Sequence, residues 1–116
     1  MWVMLNDSFL SIVHKDCAPD ELLVRARRKG DIERLFPRSK VTVSEESDYR
    51  FRAVVNIANV QSAIALELTR ITYPNFKDSV KDKTLHDAYL NVWAVMHRAY
   101  DTYRGAPGYT KKKRRR

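Results

Sequence analysis

Residues 84 to 104 constrain the fold of this chain more than any other stretch. Leu85, Tyr89, Val92, Trp93, Met96, Ala99, Tyr100 and Tyr103 recur at spacings of three and four, which places them on one broad stripe of a helix. Thr84 with Asp87 three residues on reads as a capping box, each side chain satisfying a free N–H of the first turn. Gly105 and Pro107 end the helix. A stripe with a Trp and three Tyr needs a large partner surface, and the rest of the chain is the expected partner. Trp93, Tyr89, Tyr100 and Tyr103 are therefore expected in the core. Tyr103 and Trp2, near element ends, are also candidates for exposed interface anchors.

The other helical signal covers Ile57, Val60, Ala63, Ile64, Leu68 and Ile71, capped by Asn56 or Asn59. Tyr73-Pro74-Asn75 closes it, and Phe76 to Lys83 reads as a polar connector anchored by Phe76 and Val80. Before residue 56 the period changes to two. Trp2 to Leu5 and Phe9 to Val13 flank Asn6-Asp7-Ser8, which has turn chemistry, so they read as a hairpin. Leu22, Val24 and Ala26 alternate with Leu23, Arg25 and Arg27 in a third strand. Asp31 caps a short helix, Ile32 to Phe36, stopped by Pro37, and 41 to 43 is a short edge strand. In the strand 49 to 55, Tyr49, Phe51, Ala53 and Val55 share one face; Arg50, Arg52 and Val54 share the other.

Strands first and helices last is the α+β signature. The expectation is one domain, residues 1–105. It holds an antiparallel sheet of about four strands in the N-terminal half, with two long helices of the C-terminal half packed on one face, plus one short helix. The other face is left open. Residues 106–116 are expected to form a disordered basic tail.

Charge is distributed accordingly. Of the formal net +8, six positive charges belong to Lys111, Lys112, Lys113, Arg114, Arg115 and Arg116, which leaves +2 for the preceding residues. The tail is either a solubilising terminus or an arm for nucleic acid or an acidic surface. No apolar run approaches the roughly 20 residues that span a bilayer. The N-terminal stretch has no basic region before its apolar residues and Asp7 interrupts it, so it is not read as a signal peptide. A single cysteine, Cys17, excludes an intrachain disulfide and fits a cytoplasmic setting.

Arginine on strands is the main functional signal. Arg25, Arg27, Arg50 and Arg52 fall opposite the core-facing positions, and Arg28 and Lys29 extend them at a strand end. If the two strands are neighbours, they make a basic sheet surface suited to phosphates or carboxylates. The alternative is ordinary solvent-facing arginines paired with Glu45, Glu46 and Asp48. Base stacking would need aromatics on that same face, whereas the alternation sends Tyr49 and Phe51 to the other.

Catalytic patterns are poor. His86 and His97 are eleven residues apart on one helix, roughly 16 Å at about 1.5 Å per residue, too far to share a metal. His14 and Cys17 lack the further ligands of a zinc set, and a Cys/His catalytic pair is the one remaining enzymatic option. No Gly-rich phosphate loop or nucleophile elbow is present. No metal, cofactor or enzymatic activity is expected.

Two stretches carry a resemblance. Residues 22–37, LLVRARRKGDIERLFP, and 71–80, ITYPNFKDSV, followed by Tyr89, Val92, Trp93 and Met96, resemble small proteins of proteobacteria and their phages. The resemblance spans most of the chain apart from the tail and implies the same α+β fold. At the level of class it implies an inhibitor of host defence of the anti-CRISPR kind. Many such inhibitors are acidic nucleic-acid mimics, and this basic chain departs from them. The expected role is thus a non-catalytic binding protein that occupies a protein or nucleoprotein surface. The alternative is a nucleic-acid-binding accessory protein that uses the tail and the arginine face.

Overall fold

A computed structural model describes residues 1–106. The expected α+β class and antiparallel sheet are present, with five strands in the order β1-β2-β3-β5-β4. They are β1 (Trp2–Met4), β2 (Phe9–Val13), β3 (Glu21–Ala26), β4 (Thr42–Val43) and β5 (Phe51–Asn56). The helices are α1 (Asp31–Leu35), α2 (Ile57–Thr69), α3 (Phe76–Ser79) and α4 (Lys83–Arg104). No described helix is long and apolar enough to cross a membrane.

Cross-strand register sets the two faces. Val3 pairs with Leu10, Ile12 with Val24, and Val24 with Ala53, so these residues stand on one face. Ile32, Phe36 and Val60 close over them, and Leu35, Ala63 and Ile64 pack around the edge. α1 and α2 therefore supply the cover of this face. α2 begins where β5 ends. Asn56 is both the last strand residue and the helix cap, its side chain accepting from the Ala58 N–H at 2.8 Å. So tight a junction folds α2 back along the sheet.

α1 starts differently from its sequence reading. Gly30 occupies the cap position at φ 95°, a left-handed conformation that favours glycine, and makes no side-chain cap. Asp31 is buried and serves as a hub instead. It accepts from Phe9 N–H at 3.1 Å, from Arg28 Nε at 2.9 Å and from Arg34 Nη1 at 2.9 Å. Both arginines also donate to the Asp7 carbonyl, which fastens the β1–β2 turn to α1.

α4 also departs from its reading. Its cap is Asp82, which accepts from Leu85 N–H at 2.9 Å, and not the Thr84 box; Asp87 pairs with Lys83 instead. The Phe76 to Lys83 connector contains the single turn α3, capped by Asn75. Val80 is buried and Phe76 stacks on Tyr89 with centroids 5.3 Å apart, so both anchors act as expected. Of the α4 stripe only Tyr89 is buried. Its hydroxyl donates towards the Leu5 and Ser8 carbonyls, both at 2.9 Å. This corrects the core assignment: Trp93 is 52% exposed, Met96 63%, Tyr100 47% and Tyr103 62%. The reason is position, since Tyr89 fastens α4 at the β1–β2 turn and these exposed residues lie one turn or more beyond it.

Candidate interaction surface

The open face of the sheet follows from the same register. Trp2 pairs with Ser11, Ser11 with Arg25, Arg25 with Arg52, and Arg52 with Thr42. One residue from each strand thus forms a row across this face. The sheet does make the β3 and β5 arginines neighbours, as the basic-surface reading requires.

The six candidate residues of the body have different fates. Arg25 and Arg52 stand side by side. Arg27 lies beside them but forms a two-point ion pair with Asp48, at 2.9 and 2.8 Å. That pair holds the Asp48 carboxyl below its ordinary value and raises Arg27 above its own, the hydrogen bond being the main cause of each. Arg28 is committed to Asp31, Asp82 and the Asp7 carbonyl. Lys29 is exposed in the turn after β3. Arg50 precedes β5 and pairs with Glu45 at 2.6 Å. Lys111, Lys112, Lys113, Arg114, Arg115 and Arg116 lie outside the described residues.

Tyr49 is the main correction on this face. Strand pairing begins at Phe51, so the alternation does not extend back to residue 49. Its ring is buried beneath the arginines, with the Arg27 and Arg25 guanidinium carbons 4.3 and 4.5 Å from its centroid. Phe9 stands 6.0 Å from Arg27 on the same side. With Trp2 at 71% exposure, the arginine face carries aromatics after all. The signal was available: alternation in β1 and β2 puts Trp2, Met4, Phe9 and Ser11 on one face, and pairing to β3 makes it the arginine face.

α4 supplies a second surface. Its stripe continues beyond Tyr89 through Val92, Met96 and Tyr103, flanked by Trp93. Lys77 Nζ lies 5.1 Å from the Trp93 ring and His97 meets its edge, so the indole is held in place while half of it stays in solvent. Between sheet and helix is a largely apolar cleft of about 380 Å³, lined by Trp2, Phe9, Arg27, Tyr49, Leu85 and Val92 among others. It joins the two surfaces.

The catalytic candidates do not assemble. His14 Nε2 contacts the Ala18 carbonyl at 3.2 Å, and the Cys17 thiol donates to the Glu21 carbonyl at 3.3 Å. Each is engaged with backbone four residues on, with no hydrogen bond between the two side chains among the described residues. Within the same residues no group of three or more His, Cys, Asp and Glu side chains is placed to hold a metal ion. No family model, no characterised protein and no solved structure matches this chain.

Proposed function

We propose that this protein is a non-catalytic binding protein whose α4 seam lies against a protein target. The observation that carries this reading is the exposure of Val92, Trp93, Met96 and Tyr103 on a helix whose stripe is otherwise anchored at Tyr89. Trp93, Met96 and Tyr103 each leave on the order of 100 Å² in water, so each forgoes about 2.5 kcal/mol at about 25 cal/mol per Å². A rigid helix presenting large aromatics is the chemistry of an interface hot spot. The resemblance to small phage and proteobacterial proteins makes an inhibitor of a bacterial defence system the concrete form of this role. The target is then a protein or nucleoprotein component of that system.

A photo-crosslinking residue at Met96, on the stripe, compared with one at Asn91, on the polar side, tests the reading in infected or expressing bacteria. Capture of one partner species from position 96 alone, abolished by Trp93→Ala, is the expected result. Equal capture from both positions removes α4 as the interface. Light scattering on the purified protein separates a second copy from a foreign target: a dimer broken by Met96→Glu makes the seam a self-association surface.

A further inference from the structure

The arginine row carries an inference independent of α4. Among the described residues, Arg27, Arg28, Arg34, Arg50, Arg70 and Arg104 each lie within 4 Å of a carboxylate. Arg25 and Arg52 are in none of these ion pairs, although they face each other directly across β3 and β5. Like charges in that relation destabilise a sheet. Both are nonetheless fixed. Arg25 Nη2 donates to Ser11 Oγ at 2.7 Å, while its Nε is buried and donates to nothing. Arg52 Nε donates to the Tyr49 carbonyl at 3.2 Å. Two held guanidiniums with uncommitted donors form a ready seat for an anion.

The rest of the row indicates which anion. Strands are about 4.8 Å apart, so Trp2 stands roughly 10 Å from Arg25 along the row. An exposed indole at that distance offers a stacking platform beside the charge. An acidic peptide would use the arginines and leave the indole idle; a nucleotide chain uses both. A duplex has its bases already stacked and cannot offer one to Trp2. We propose that the open sheet face binds single-stranded nucleic acid, with a backbone phosphate between Arg25 and Arg52 and a base on Trp2.

The test uses the full chain and a labelled oligothymidylate, with binding followed by fluorescence anisotropy at several salt concentrations. The Arg25→Gln/Arg52→Gln double variant is compared with Arg38→Gln/Arg98→Gln, which removes the same charge from exposed arginines away from the row. The control should bind like the parent. The row variant should bind at least ~10-fold more weakly, with a salt slope smaller by about 0.7, the value for the one phosphate held between the two arginines. The row variant relieves a like-charge pair but loses the Ser11 and Tyr49 contacts, so a single cooperative melt well above the assay temperature is the control that excludes misfolding as the cause. In a Trp93→Phe background the oligonucleotide should quench Trp2 emission. Equal weakening of both double variants would overturn the proposal, since overall charge would then explain binding. Competition by polyglutamate or by duplex as effective as by the unlabelled single strand would overturn it too.

Discussion

α2 and α4 are both amphipathic, yet only one spends its apolar stripe on the sheet. α2 has Val60 buried, with Ala63 and Ile64 against the core, whereas α4 buries Tyr89 and leaves Val92, Trp93, Met96 and Tyr103 wet. The difference lies in the connections. Asn56 ends β5 and caps α2 with no linker between, so the helix has to return over the strand it left. α4 arrives by way of α3 and is fastened by hydrogen bonds at the β1–β2 turn through Tyr89. Even α2 obeys this rule, since Leu66 and Leu68 near its C-terminus are exposed. A helical stripe shows that a helix has a partner; the length of the connection decides whether that partner is its own sheet.

The strongest test of this contrast is a truncation in the covered layer. Leu10 is fully buried beneath α1 and α2, so Leu10→Ala should cost about 3–4 kcal/mol in chemical denaturation. A cost below about 1 kcal/mol would mean that the face is not a close-packed core.

Tyr89 is where α4 is attached, and it comes next in size. Tyr89→Phe leaves the Leu5 and Ser8 carbonyls without this donor and should cost about 1–2 kcal/mol. The phenol also gives a pH signature. Burial, with Asp31 nearby, pushes its pKa well above the ordinary value near 10. A group raised in the folded state contributes stability that is complete below its unfolded pKa and is lost as pH climbs above it. Parent protein should therefore lose stability from about pH 10 upward more steeply than Tyr89→Phe. Parallel alkaline curves would show that the hydroxyl is not sequestered.

The helix caps sharpen the comparison at about 1 kcal/mol each. Asn56→Ala should destabilise the whole fold, because α2 is part of the core. Asp82→Ala should instead loosen α4 locally, visible as faster amide exchange in the first turn of α4 with a smaller change in the global midpoint. Equal global effects would mean that α4 is as much a part of the cooperative unit as α2.

Period and punctuation made most of the architecture legible. The hairpin around Asn6-Asp7-Ser8, the Arg25 strand, an asparagine cap at 56 or 59 and the stripes of both long helices follow from residue spacing, and the structure places the cap at Asn56. Three features were hidden for physical reasons. Asp31 looks like a cap, but its acceptors go to Arg28 and Arg34, three residues away on either side, and to Phe9 N–H, a partner that only the packing of α1 on the β1–β2 hairpin brings near. Tyr49 sits just outside β5, where alternation has no hold. The candidate surface was half legible: Arg25 and Arg52 were singled out, while Trp2 joins them only once β1, β2, β3 and β5 are placed in order.

Trp93 separates the two helices most sharply because its expected stability effect is the smallest. A Trp in a core costs about 3–5 kcal/mol when cut to Ala. Trp93 is half in solvent and touches Lys77 and His97, so Trp93→Ala should cost less than about 1 kcal/mol, the scale of an exposed cation–π contact. The same substitution should abolish capture of the partner through Met96. Near-native stability with lost capture makes Trp93 a binding residue. A loss of several kcal/mol would instead return it to the core, and the reading of α4 as an interface would fall with it.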